Sequence, residues 1–301
     1  MVSYHNPVLL KASVAGLSVR EDGTYVDVTY GGGGHSSAIL ALLGKKGRLL
    51  AFDRDGDAAS VMTDDPRLLL VRHNFRFLKN YLKYYGALPV DGILADLGVS
   101  SHQFDQGERG FSTRFSAELD MRMDRRKKKT AAHVVSTASF EELASIFRSY
   151  GELDQAGRIA DALILFRTQK PIETTDDLKE AIQHLIPPRQ EQKFLARVFQ
   201  ALRIEVNGEL DALKSLLEQS LQVLRPGGRL VVISYHSLED RLVKNFMKTG
   251  NTAGIEEKDP IYGKLSSPFI LVTRKAVLPD EAEIGENPRA RSAKLRIAEK
   301  I

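Results

Sequence analysis

The sequence predicts an open α/β fold: a largely parallel sheet wrapped by helices and interrupted by an all-helical insert. Three observations predict it. Strand-like and helix-like segments alternate over the first hundred residues. Several of the strand segments are near-continuous apolar runs, as at Leu49, Leu50, Ala51 and Phe52, the pattern of strands covered on both faces. From about 106 to 206 the alternation stops and only helical stretches follow, before strand and helix signals resume.

In chain order, strands are expected at 25–30, 47–53, 67–72 and 90–96, with helices at about 35–44, 56–63 and 75–86. The helical block then supplies 139–150, 156–168, 174–185 and 190–205. Its first helix opens on Ser139 followed by Glu142, a capping-box pattern. A helix at 207–224 leads through a turn at Arg225, Pro226, Gly227 and Gly228 into a strand at 229–234, and another strand is expected near 268–275. Residues 1–105 and 207–301 therefore form one α/β domain, and 106–206 an inserted domain. Such an insert can cap the carboxyl end of the sheet, where ligands sit in open α/β folds. The alternative is that the middle segment completes the sheet's own helical layer.

At 301 residues the chain can bury a large core, and its apolar and charged fractions of 43% and 27% are those of a soluble globular protein. The absence of cysteine excludes disulfides, thiolate metal sites and a cysteine nucleophile. Seven histidines without metal-ligand spacing give no support for a metal site. No signal peptide is visible at the start and no apolar run reaches bilayer length, so the cytoplasm is the expected compartment and no membrane partner is expected. The net charge is only +4, yet the cations cluster. Arg125, Arg126, Lys127, Lys128 and Lys129 form one run, and Arg289, Arg291, Lys294 and Arg296 crowd the C-terminus. Both suit a polyanion such as RNA, although a solvated turn gives the first run equally well.

The residues that can carry chemistry sit at expected strand ends. Gly31, Gly32, Gly33 and Gly34 follow the first strand and open a helix at His35, leaving backbone N–H groups bare for a ligand. The dinucleotide spacing G-x-G-x-x-G fails, because the third position falls on Ser36 or Ser37. Asp27 ahead of the glycines gives instead the acidic-then-glycine arrangement associated with S-adenosylmethionine. Asp53 lies twenty residues past Gly33 at the end of the second strand, where a carboxylate can accept both ribose hydroxyls or simply cap the next helix. Asp96 closes the fourth strand and can face the same crevice to hold an amino group, or serve only an Asx-turn. Between the late strand and its helix, His236 can titrate near neutrality, and Ser237 with Asp240 also reads as a capping-box-like helix start.

Taken with their spacing, these segments resemble the bacterial ribosomal RNA small-subunit methyltransferase H family. The resemblance runs almost end to end, through 5–10, 31–36, 53–55, 96–105, 109–112, 119–124, 199–207, 234–241 and 287–296. It departs at Leu153, where a second acidic residue is expected, and at Tyr235, where a phenylalanine is expected. The resemblance implies a class I (Rossmann-like) methyltransferase sheet with an inserted helical substrate domain. It also implies methylation, by S-adenosylmethionine, of the N4 amino group of a cytidine in the decoding region of 16S rRNA within the small ribosomal subunit. Carried over by motif, the cofactor contacts are Gly33, Gly34, His35, Asp53, Phe75, Asp96 and Gln103, with the Phe75 ring against the adenine. Asp96 is the first candidate for the catalytic acceptor of the amino hydrogens, with His236 and Asp240 as helpers. Arg125, Arg126, Lys127, Arg289 and Arg291 are the candidate RNA contacts. Two rival readings stand beside this one: an NAD-dependent dehydrogenase, and a non-catalytic assembly factor that retains a cofactor pocket.

Overall fold

The computed structural model describes residues 7–55, 64–99, 107–256 and 267–301. The helix expected at 56–63 and the candidate Gln103 lie outside the described residues. The chain divides into two compact units, Met1–Gly98 with Leu210–Ile301, and Val99–Glu209.

The first unit holds seven strands: β1 (Thr24–Asp27), β2 (Arg48–Phe52), β3 (Leu68–Val71), β4 (Val90–Asp96), β5 (Leu224–Ser234), β6 (Phe269–Leu271) and β7 (Lys294–Lys300). They make one sheet in the order β3-β2-β1-β4-β5-β7-β6. The first five run parallel, β7 is antiparallel to β5, and β6 is antiparallel to β7. Its helices are α1 (Leu10–Leu17), α2 (Gly34–Leu42) and α3 (Leu78–Tyr84), with α9 (Glu209–Val223), α10 (Ser237–Thr249) and α11 (Glu281–Glu286) from the second half.

Both faces of this sheet are covered, which is why its strands read as unbroken apolar runs. Side chains alternate along each strand. Val26, Leu50, Ile93, Leu230 and Val232 pack on one face with Leu82, Leu216 and Phe246 from the helices. Tyr25, Leu49, Leu94, Val231 and Ile233 pack on the other with Leu17 and Ile39. Ile93 is fully buried, and truncating such a residue to alanine costs about 2–5 kcal/mol.

Several boundaries move for physical reasons. β1 ends at Asp27, although Val28 and Tyr30 still donate backbone bonds to the carbonyls of Leu94 and Phe52, so the chain keeps its heading up to the glycines. The expected helix 75–86 starts as a 3₁₀ turn, Phe75–Phe77, capped by the Asn74 side chain. The expected turn at 225–228 is an irregularity within β5, where pairing jumps from Val90–Leu224 to Gly92–Arg229. The helix expected at 207–224 begins at Glu209, because Gly208 adopts a left-handed φ of 60° and closes the helix before it.

The second unit is helical: α4 (Ala131–Thr137), α5 (Phe140–Ser149), α6 (Ala156–Arg167), α7 (Thr175–Ile182) and α8 (Glu191–Asn207). Its own core gathers Val135, Phe147, Ile159, Leu163, Leu178 and Leu202, joined by Phe111, Leu119 and Met121 from the preceding segment. That segment is pinned by Asn207, whose amide donates to the Met121 carbonyl at 2.8 Å and accepts from Met123 N at 2.9 Å. Ser139 and Glu142 form the expected capping box. Among the described residues of this unit there is no strand, only an isolated bridge between Glu118 and Thr174. No described helix is long and apolar enough to cross a membrane.

Candidate active site

The carboxyl ends of β1, β2 and β4 are neighbours in the sheet, and the sequence places an aspartate at or just past each. Asp27, almost wholly buried, closes β1 and ties down the loop that follows. Its Oδ1 accepts from Thr29 N at 3.0 Å, and its Oδ2 accepts from the Ser36 hydroxyl at 2.7 Å. Asp27 is therefore the brace of the glycine loop, spanning it from strand to helix.

At its helix end the loop has no room for side chains. Gly33 takes a φ of 76°, and a Cβ there would lie 2.8 Å from the Tyr30 hydroxyl; one on Gly34 would lie 2.1 Å from Cγ of Pro7. Asp53, just beyond β2, reaches across to this loop. Its Oδ2 accepts from Gly31 N at 2.9 Å and its Oδ1 from Asp55 N at 2.8 Å. Burial raises its pKa, against the opposing pull of those two donors. Each oxygen keeps a lone pair, so the half-buried carboxylate fits a vicinal diol. Its contact to Asp55 N is a bond within the turn that follows β2; the helix that the alternative reading has it cap, 56–63, lies outside the described residues.

Asp96 ends β4. Its backbone N–H donates to the Thr29 hydroxyl at 2.7 Å, and its Oδ1 accepts from the Tyr235 hydroxyl at 2.7 Å. Burial pushes its pKa up to about 6, offset in part by His35 and by the Tyr235 hydrogen bond. His35, on the first turn of α2, is buried with Nε2 3.1 Å from the Val8 carbonyl. A carbonyl only accepts, so Nε2 carries the proton and Nδ1 faces Asp96, 3.7 Å from Oδ2.

The two proposed helpers do not join this group. Asp240 accepts from Arg296 Nε at 2.7 Å and Nη2 at 3.2 Å, with Lys294 at 3.5 Å, binding α10 to β7. Burial alone would raise its pKa, but Arg296 and Lys294 outweigh that and lower it, so it is a poor proton acceptor. The capping-box reading fails as well: His236 is the N-cap of α10 and offers no side-chain cap. His236 shares no hydrogen bond or ion pair with Asp96; its Nε2 lies 3.2 Å from Glu239 Oε1, but without hydrogen-bond geometry. Phe75 opens the 3₁₀ turn after β3, half-buried against the sheet core.

The cationic candidates are exposed. Arg122 closes their turn by donating to the Lys127 carbonyl at 2.6 Å, and Arg126 pairs with Asp124 at 2.8 Å. Arg289 and Arg291 lie on a 3₁₀ stretch, Pro288–Ser292. Lys294 and Arg296, grouped with them in the sequence, instead belong to β7 and serve Asp240.

Sequence reasoning missed Thr29, Ser36 and Tyr235 as site residues. The first two flank the glycines within hydrogen-bond reach of Asp27, a local signal that was available. Tyr235 meets Asp96 only because β5 lies beside β4, and no local pattern announces that.

A parallel sheet whose last strand enters antiparallel beside the fifth, with carboxylates and a glycine loop at the carboxyl ends of its inner strands, is that of a class I S-adenosylmethionine-dependent methyltransferase. Comparison with known proteins narrows the class. The chain matches the MraW methylase family over residues 2–301 and belongs to it. It is 57% identical over 300 residues to the ribosomal RNA small subunit methyltransferase H of Amoebophilus asiaticus, covering 99% of this chain and 96% of that one. The proteins of the same name from Bacteroides thetaiotaomicron and Flavobacterium johnsoniae are 56% and 54% identical, over 99% and 100% of this chain and 98% and 99% of theirs. Nothing in these relationships supports a dehydrogenase or a catalytically silent assembly factor.

Proposed function

We propose that this chain methylates the N4 amino group of a cytidine in the decoding region of 16S rRNA, within the small ribosomal subunit and in the cytoplasm. The observation that carries the reading is the Asp96 carboxylate, partly buried, raised in pKa, and one strand away from the glycine loop. It is supported by relatives that bear the name of a small-subunit rRNA methyltransferase over nearly their whole length.

When bound, S-adenosylmethionine supplies a methyl group on a positively charged sulfur. The chain's residues do the rest. Gly33 and Gly34 let the backbone approach the cofactor, Asp53 takes the ribose hydroxyls, and Phe75 lies against the adenine. The cytosine amino nitrogen is a poor nucleophile because its lone pair is delocalised into the ring. Asp96 accepts a hydrogen bond from that amino group, which favours a pyramidal nitrogen and fixes its line of attack. Once that nitrogen has gained the methyl group its proton would be acidic, and Asp96 would be the group placed to receive it. With a pKa of about 6 the carboxylate is mostly ionised at neutrality, yet more basic than a solvated aspartate. The target base leaves its stack to reach the crevice, while Arg125, Arg126, Lys127, Arg289 and Arg291 hold phosphates.

Single-turnover transfer of labelled methyl to isolated small subunits, followed by mass mapping of the 16S rRNA, tests this. One modified cytidine bearing the label on N4 is the expected result. Cofactor binding without transfer would restore the assembly-factor reading, and label on another base would overturn the substrate.

A further inference from the structure

We propose that Tyr235 is a positioning residue for the reaction: its hydroxyl ties down Oδ1 of Asp96, so that Oδ2 is the oxygen presented to the amino group and the carboxylate stays ionised to receive the proton. The inference rests on the reading of Asp96 given above and adds a second residue to it.

The geometry is specific. The Tyr235 hydroxyl lies 2.7 Å from Oδ1, while Oδ2 has His35 Nδ1 at 3.7 Å, beyond hydrogen-bond reach. One oxygen is therefore engaged from the β5 side, while the other accepts no hydrogen bond from the described residues. Tyr235 is itself held in place, because its backbone N–H donates to Glu239 Oε2 at 2.9 Å. Burial first, and then the neighbouring Asp96 charge, push its phenol well above the ordinary range. The phenol thus stays protonated and can only donate to the carboxylate.

The charged surroundings make that donor matter. Asp96 is faced by His35 from α2, Asp27 from β1, and Tyr235 and Glu239 from the segment after β5; Glu283 of α11 acts on Tyr235. Two of the groups bearing on Asp96 are carboxylates, which oppose its ionisation as burial does. His35 and the Tyr235 hydroxyl favour it.

Tyr235→Phe keeps the ring and removes only the donor. The acid limb of the single-turnover rate against pH is then expected to move upward by about one unit, the scale of a hydrogen bond lost to a charged group. Cofactor affinity should hold, and the rate should recover on the alkaline side. Replacing Tyr235 with 3-fluorotyrosine, a stronger donor of nearly the same shape, should move the limb downward instead, and it covers the case in which the phenylalanine variant does not fold. A lower rate at every pH with an unmoved limb would overturn the inference, leaving Tyr235 a packing residue. Asp96→Asn separates this from failure of the underlying reading. That variant should lose at least about a hundredfold in single-turnover rate at saturating cofactor, and Tyr235→Phe should then have no further effect. Full activity in Asp96→Asn would remove Asp96 as the acceptor, whatever Tyr235 does.

Discussion

The two ends of β4 carry the same side chain in opposite circumstances. Asp91, at the amino end, accepts from Thr24 N at 2.7 Å and is bound by the Arg225 and Arg20 guanidinium groups. Burial alone would raise its pKa, but those three donors outweigh it and hold the carboxyl below the usual range. Asp96, at the carboxyl end, has no arginine, and burial leaves it near 6. One end of the strand stabilises its charge with cations and thereby stabilises the fold. The other leaves its charge underserved, so that it responds to an incoming donor, and perturbed groups of this kind gather at working sites.

The contrast breaks first on stability. Asp91→Ala is expected to lower unfolding free energy by about 2–3 kcal/mol, less than for a fully buried pair because Arg20 is half exposed to water. Asp91 has a depressed folded pKa, so its contribution is present above the unfolded carboxyl value and disappears as pH falls towards the folded one. Asp96 runs the other way: its contribution is complete below the unfolded value and is lost as pH rises through about 6. At pH 8, Asp96→Asn should therefore melt no lower than wild type, whereas Asp91→Ala melts clearly lower. Denaturant unfolding of both variants at pH 4 and pH 8 checks this, and parallel losses would erase the distinction between the two ends.

That distinction explains what the sequence shows and hides. The apolar runs of β1, β2, β4 and β5 and the strand-end positions of Asp53 and Asp96 are legible because burial on two faces and the strand period leave local marks. The helical insert is legible from period and capping, as at Ser139 and Glu142. β7 was not read, although its apolar and charged residues alternate from Lys294 to Lys300, because clustered cations look like an RNA-binding tail until Asp240 is found opposite them. The ion pair of Asp240 was hidden for the same reason, its partner Arg296 lying 56 positions away. α1, rich in alanine, serine and glycine, has too weak an apolar stripe to announce itself. What is missing from the sequence is pairing across the sheet, which decides whether an aspartate meets an arginine or a tyrosine.

A smaller effect sharpens the carboxyl-end half of the comparison. Asp53→Ala removes the acceptor of Gly31 N and the proposed partner of the ribose, and should weaken cofactor binding by about 1.5–3 kcal/mol, some ten- to a hundredfold in Kd. Its pKa is raised by burial, so removing the charge also lifts a penalty, and the thermal midpoint should fall less than in Asp91→Ala. Calorimetric titration with S-adenosylmethionine or its demethylated product measures the first quantity. Unchanged affinity would refute the ribose assignment.

The smallest effect concerns the helical unit, where the logic of Asp91 recurs around a cation. Asp124 is held below the usual carboxylate range chiefly by Arg126, whose Nε and Nη2 donate to it at 2.8 and 3.0 Å. Arg125, its neighbour, is exposed and makes no ion pair within the described residues. If the run grips phosphates, a cation already matched to a carboxylate should release fewer counterions than one that is not. Arg125→Ala is expected to flatten the dependence of log affinity for 16S rRNA on log salt by about one unit of slope, and Arg126→Ala by less. Neutralising Arg125, Arg126 and Lys127 together should exceed either. An unchanged slope in the triple variant would make the run solvated surface, and equal losses from the two arginines would show that Asp124 releases its partner when RNA arrives.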